Sequence, residues 1–355
     1  MKVGDLSRVK PLDEKQSVSV VVVTYNCGAW VSKCLDSILR TAFETFEVIV
    51  LDNGSRDDTL SKLSRYEGQV KLVQLDKNLG LAKARNIGAR MANGSYLAFV
   101  DHDTAVDSSW LQAGVQELTR YPQAGIVMFR ALSLKDPRVI SETGAGIGAH
   151  GSDLTGLPAE SFTGIRHVLF PLGAGFIVSK AVFMELGGFD EFFFVGNDDI
   201  DFGWRAWLLG FEPICISTGT VYHDGGVLRR NGFSRVFRFY GIRNWLYLYM
   251  KNLSVRTLLT NLPLIAIGFP LAAIYRVGFD GVRAIYSVLF KELRPIYANR
   301  VRTQRVRTVK DARLMPYIER YMPTTEYSRD WRVLIAGFER RLINGTRRWL
   351  NSIGT

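Results

Sequence analysis

Along the first hundred residues, short apolar runs alternate with segments whose apolar side chains recur at helical spacing. The run Val18–Thr24, rich in β-branched residues, predicts a buried strand. Trp30, Val31, Cys34, Leu35, Ile38 and Leu39 then repeat three or four positions apart, one face of a helix. Phe46–Leu51 predicts a second strand, Lys71–Gln74 a third, Leu81–Met91 a helix and Tyr96–Val100 a fourth strand. Strands alternating with helices predict an α/β domain around a largely parallel sheet, and such sheets bind ligands beyond the carboxyl ends of their strands. From about Gly125 to Gly226 glycine and aromatic residues dominate and the periodicity weakens, which predicts mixed strands and loops. After Phe233 the pattern is helical again. Thr257 to Tyr275 is uncharged and mostly apolar, interrupted by Pro263, Gly268 and Pro270.

A chain of 355 residues that is 47% hydrophobic buries a substantial core, in one large domain with an appendage or in two smaller domains. The boundary is placed at residue 250, with a helical, basic region from 251 to 355. Cys27, Cys34 and Cys215 are too few for a disulfide framework and sit in no zinc-like spacing, so they read as reduced structural thiols. The opening MKVGDLSRVKPLDEKQ is charged and has no apolar leader core, so the expectation is a cytosolic catalytic portion. The net charge of +11 is concentrated late: from Lys291 onward there are 15 Lys/Arg against 6 Asp/Glu. Such a tail suits anionic lipid, nucleic acid or an acidic partner, or is a solvated face.

Polar clusters follow several of these strands. Asp101-His102-Asp103 comes after Tyr96–Val100, and two carboxylates one residue apart can hold a hard divalent cation that bridges a diphosphate; alone, the pair is an ordinary loop or cap. Asp52 ends the second strand in LDNGSRDDT, where a carboxylate can accept from a base N–H, with Asn53, Gly54 and Ser55 making the turn. Thr24-Tyr25-Asn26 ends the first strand. In KNLGLAKARNIG, Asn78 and Gly80 precede a helix carrying Arg85 and Asn86: Gly80 permits a tight entry, Arg85 neutralises phosphate or braces Asp101, and Asn86 fixes a loop. Asp198, Asp199 and Asp201 open a helix bearing Phe202, Trp204 and Trp207, and crowding with partial burial raises one carboxyl toward the range of a useful base. His223, in VYHDGG, is either structural or the ligand that completes a cation site; His102, His150 and His167 have no comparable setting as metal ligands.

The pieces VVVTYN, LDNGSRDDT, KNLGLAKARNIG, FVDHDT, GGFDEFF with DDIDFGWR, and VYHDGG occur in one order over Ser17 to Asn252. In that order the chain resembles the family 2 glycosyltransferases, and among them the rhamnosyltransferase-like members. The resemblance implies a GT-A (Rossmann-like) α/β domain with a mixed sheet that binds a nucleotide-diphosphate sugar of UDP, dTDP or GDP type. It implies that Asp52 binds the base together with Thr24 and Asn26, and it puts Tyr25, Asn53, Asn78, Gly80, Arg85, Asn86 and His102 on the donor side. Asp101 and Asp103 would hold ribose, diphosphate and a Mg²⁺ or Mn²⁺ ion, and His223 would complete the metal site. It makes Asp199 the general base, with Gly173, Ala174, Gly175 and Asp201 on the acceptor side; Asp198 stands where the family has glutamate. The implied reaction is a single in-line displacement that inverts the anomeric carbon.

The segment 257 to 275 is near bilayer length, but its prolines and flanking charges favour an interfacial or re-entrant helix over a core helix or a span. Phe237, Phe239, Tyr240, Trp245, Tyr247 and Tyr249 interleave with Arg238 and Arg243, and Trp331 and Trp349 recur in the tail; the mixture suits a headgroup layer or a helix-packing face. Arg300, Arg302, Arg305, Arg307 and Lys310 add attraction to anionic lipid. The expected partners are therefore a lipid-linked or membrane-associated glycan acceptor and an anionic membrane, at the cytoplasmic face, as a peripheral or monotopic protein. No nucleic-acid partner is expected. A sugar nucleotidyltransferase of related fold is the alternative enzyme, and a basic-tail nucleic-acid-binding protein the alternative from another class.

Overall fold

The computed structural model describes residues 16–143, 157–224, 235–262 and 264–318; His150, Trp331 and Trp349 lie outside them. Strands β1 (Val18–Thr24), β2 (Phe46–Asp52), β3 (Lys71–Gln74) and β4 (Tyr96–Asp101) form the parallel half of one mixed sheet, in the order β3-β2-β1-β4. All seven residues of β1 are buried, as expected of a strand covered on both faces. Its alternate side chains go to opposite layers. Val21 and Val23 join Ile49, Leu51 and Phe99 on one side, and Val20 and Val22 join Val48 and Val50 on the other. Helix α3 (Leu81–Met91) packs on the first layer; α1 (Val31–Leu39) and α4 (Trp110–Arg120) pack on the second. Short helix α2 spans Thr59–Leu63.

The sheet continues through the glycine-rich middle. β9 (Phe176–Ser179) runs antiparallel between β4 and β6 (Ile126–Ser133), and β6 pairs in parallel with β10 (Ile214–His223). β5 (Thr104–Val106) closes the order against β10, with Thr104 opposite His223. β7 (Ile140–Glu142) and β8 (Ile165–His167) flank β6 and β10. Helix α5 covers Lys180–Glu185 and α6 covers Asp198–Leu209.

The boundary placed after residue 250 falls inside helix α7 (Arg235–Asn252). Its Lys251 is 2% exposed and bonds Asp190 at 2.5 Å and Asp201 at 2.8 Å, so the helix is anchored in the α/β domain. Tyr247 and Tyr249 are buried, and Arg243 donates to Glu292 and to the Phe192 carbonyl. For this part of α7 the packing-face alternative holds, and the headgroup reading is corrected. The apolar stretch 257–275 is divided among α8 (Val255–Thr260), a π-helical segment (Leu264–Gly268) and α9 (Phe269–Val277). Among the described residues no helix is long and apolar enough to cross a membrane. Gly278, at φ +61°, turns the chain into α10 (Phe279–Tyr286), followed by a π-helical segment (Ser287–Lys291), α11 (Leu293–Arg305) and α12 (Asp311–Ile318). Arg300 donates to the carbonyls of Met250 and Leu253 at the end of α7, and Arg307 pairs with Asp311. These two arginines, expected to face lipid, are instead tied to the fold.

Candidate active site

Parallel pairing in register brings the ends of three strands to one edge. Thr24 lies beside Asp52, and Val23 beside Asp101. Asp52 is 1% exposed and accepts from Thr24 Oγ1 (3.1 Å) and Ser55 Oγ (2.5 Å) on Oδ1, and from the Ser55 N–H (3.0 Å) on Oδ2. A carboxylate has about four acceptor positions. One on Oδ2 therefore remains for a ligand N–H. Asn26, at φ +47°, accepts from the Arg56 N–H and donates its own N–H to Ser55, while Tyr25 beside it is 42% exposed.

Asn53 and Asn78 build the loop. Asn53 accepts from the Leu79 N–H at 2.9 Å and donates to Asn78 Oδ1 at 3.0 Å, and Asn78 Oδ1 also accepts from the Gly80 N–H. Gly80 has φ +89°, and a Cβ there would lie 2.7 Å from the Phe194 carbonyl oxygen, so only glycine allows the close entry to α3.

Arg85 is the centre of the acidic group. It is 2% exposed and bonds Asp198 through Nη1 (2.8 Å) and Asp101 through Nη2 (2.7 Å). Of its two expected roles, the bracing one is present. Asn86 fixes the neighbouring loop by exchanging hydrogen bonds with the Phe189 backbone at 2.8 and 2.9 Å. Asn197, at φ +66°, sets the start of α6, so Asp198 and Asp199 occupy its first turn. One guanidinium faces three carboxylates here. Asp198 pairs with it, yet burial lifts the Asp198 carboxyl above its usual range, and burial first, then the adjacent Asp198, push the Asp199 carboxyl up to about 7. Arg85 only partly offsets this.

The acceptor-side assignments divide. Gly173 lies against the Arg85–Asp101 pair, where a Cβ would meet Arg85 Nη2 at 2.6 Å and Asp101 Oδ2 at 2.7 Å. Ala174 packs in the sheet core and Gly175 lies against Val221, so neither lines the cleft. Asp201 is also corrected: it is fully buried and accepts from Arg205 (2.7 Å), Lys251 (2.8 Å) and Asn252 (3.1 Å), which makes it a structural anion.

Asp101, Asp103 and His223 offer ligand atoms that all lie within 4.8 Å of one another. His223 Nε2 stands 3.3 Å from Asp103 Oδ1. Two donors at right angles around a Mg²⁺ ion, each about 2.1 Å from it, sit about 3 Å apart, so the residues fit a small hard cation. Burial raises the Asp103 carboxyl, but hydrogen bonding and charge from His223 bring it net below the ordinary value. His102 places Nδ1 3.3 Å from the Val23 carbonyl oxygen, with Nε2 buried and without a hydrogen-bond partner among the described residues. Cys27, Cys34 and Cys215 are free and buried, as expected.

Residues 19–186 match the family model described as glycosyl transferase family 2. Over that stretch the chain is similar to glycosyl transferase family 2. An uncharacterized glycosyltransferase of Haemophilus influenzae is 34% identical over 106 residues, covering 29% of this chain and 33% of that one. The O-antigen biosynthesis protein RfbC of Myxococcus xanthus is 27% identical over 240 residues, 62% of this chain and 18% of its own. The first curated relatives are thus matched over about a third of their length or less. The fold is that of a mannosyltransferase, PcManGT from Pyrobaculum calidifontis, solved with GDP-Man and Mn²⁺ (TM-score 0.50, 19% identity, 86% of this chain and 84% of that one). S. aureus TarS 1-349 with UDP-GlcNAc gives a TM-score of 0.50 at 19% identity over 88% and 87%.

Two supports of this site were not anticipated. Trp30 donates through Nε1 to Asp224 at 2.9 Å, tying the start of α1 to the neighbour of His223. Lys251 joins Asp190 of the GGFDE segment to Asp201 of α6. Each contact spans fifty residues or more, and no local spacing encodes it.

Proposed function

We propose that the protein is an inverting, metal-dependent glycosyltransferase. It moves a sugar from a UDP, dTDP or GDP donor to a hydroxyl of a lipid-linked or membrane-associated glycan at the cytoplasmic face of the membrane. The observation that carries this reading is the meeting at one sheet edge of Asp52, the Asp101–Asp103–His223 cluster and a carboxyl, Asp199, lifted to about 7. The nucleotide-sugar complexes of PcManGT and TarS support the donor class, and the motif set supports the rhamnosyltransferase-like branch.

Asp52 accepts a base N–H on its remaining Oδ2 position, and exposed Tyr25 offers a ring beside it. Asp101, Asp103 and His223 would hold Mg²⁺ or Mn²⁺, which when bound neutralises charge on the diphosphate leaving group. Arg85 keeps Asp101 in place for that set and bonds Asp198. Asp199, with its proton affinity near neutrality, takes the proton of the acceptor hydroxyl as that oxygen attacks the anomeric carbon. Attack from the face opposite the leaving diphosphate inverts the centre without a covalent enzyme intermediate.

The test is a product assay across nucleotide sugars with Mn²⁺ and a membrane extract as acceptor. Release of a nucleoside diphosphate by one donor supports the reading. Release of pyrophosphate from a nucleoside triphosphate and a sugar phosphate would replace it with nucleotidyl transfer, and a salt-sensitive nucleic-acid gel shift without turnover would replace it with nucleic-acid binding.

A further inference from the structure

The helices after α7 carry an apolar stripe on their outer side. Along α10, the π-helical segment and α11, the exposed side chains include Phe279, Val282, Tyr286, Phe290, Leu293 and Tyr297, three or four positions apart. The opposite side of the rod holds the buried Gly281, Ala284, Val288 and Ile296. This is the reverse of an ordinary surface helix, which turns its apolar stripe inward. Phe279 and Phe290 are each 72% exposed and Tyr297 69%. With Tyr286, these four rings leave on the order of 500 Å² of apolar surface uncovered, near the top of what monomers expose.

The charge around the stripe selects its occupant. Lys291 and Arg294 are exposed, Arg283 is more than half exposed, and Lys291 Nζ lies 5.6 Å from the Tyr286 ring, itself stacked on Phe290. The acidic residues of the described chain from 252 to 318 are Asp280, Glu292 and Asp311, and all three are turned inward onto arginines. A second copy meeting this face would bring cation against cation. The chain beyond residue 318 is itself net basic. An anionic bilayer satisfies both features, taking the rings into the acyl boundary while the cations stay among the headgroups.

We infer that the outer face of α10, the following π-helical segment and α11 is a docking surface for anionic lipid. It seats the protein on the membrane in the interfacial plane, without a span. Binding needs no donor, so this inference stands or falls apart from the transferase reading.

Flotation of the full chain tests it, with phosphatidylcholine vesicles that contain or lack about one third phosphatidylglycerol. Preference for the anionic vesicles should exceed about ten-fold and collapse in high salt. Each basic residue near the surface contributes about five-fold, so the triple variant Arg283→Gln, Lys291→Gln, Arg294→Gln loses about a hundred-fold. The double variant Phe279→Asp, Phe290→Asp should lose at least as much while its melting temperature stays unchanged, because both rings lie outside the core. Equal partitioning into neutral and anionic vesicles, or full retention by the phenylalanine variant, overturns the inference. So does a concentration-dependent dimer that the phenylalanine variant abolishes.

Discussion

Replacing Asp199 with asparagine removes the proposed base without removing its neighbours, and two independent magnitudes follow for the outcome. Loss of a positioned base lowers turnover by about 10²–10⁴, or roughly 3–5 kcal/mol in the barrier, with the donor KM within about two-fold because Asp52, Asp101 and Asp103 are untouched. The wild-type rate should rise with pH through about 7, where Asp199 loses its proton, and then level off; the variant should lose that limb. Stability moves the other way. The folded-state pKa of Asp199 is raised above its unfolded value, so the native state binds this proton more tightly and stability falls as pH climbs from about 4 to 7. Raising the carboxyl from its ordinary value to about 7 corresponds to about 4 kcal/mol at most, and partial solvent access lowers it to on the order of 2 kcal/mol. The variant should therefore melt about 3 °C above wild type at pH 8 and level with it near pH 4. Calorimetry and single-turnover kinetics read both effects. Undiminished transfer, or a variant less stable than wild type at pH 8, would refute the reasoning.

Lys251→Met leaves Asp190 and Asp201 buried without their shared cation, at a cost of about 3–5 kcal/mol; a denaturation midpoint equal to wild type would show that the pairs contribute nothing. Gly173→Ala forces a Cβ against Arg85 and Asp101 and should lower kcat by about ten- to a hundred-fold through displacement of Asp101, with the fold retained by circular dichroism. Unchanged kcat in that variant would show that the position of Asp101 is not limiting.

The parallel half of the sheet was legible in the sequence because strands covered on both faces are continuous apolar runs and α3 has a strong stripe: Val18–Thr24 and Leu81–Met91 fall where expected. The strand-end polar residues were legible for the same reason, since register follows from pattern. The second half was not. The DDID cluster reads as one group along the chain, but a helix rotates about 100° per residue, so neighbouring carboxylates separate. Asp198 meets Arg85 while Asp201 turns to Lys251 and Arg205. Ala174 and Gly175 follow Gly173 into the sheet, where β-pairing decides their place. In α7, aromatic and basic residues have the composition of a membrane interface, yet Tyr247 and Arg243 are claimed by Asp190 and Glu292 from distant segments. The exposed stripe of α10 and α11, which the sequence did not separate from these, has the opposite burial.

The central claim is that Asp101, Asp103 and His223 act together on one divalent ion and one diphosphate. Electron paramagnetic resonance of Mn²⁺ titrated into the protein with UDP, dTDP or GDP measures it directly. The account predicts one nucleotide-dependent Mn²⁺ per chain, weakened at least about ten-fold in both Asp103→Asn and His223→Ala. Equal Mn²⁺ binding in those variants, or full turnover after exhaustive chelation, would contradict it.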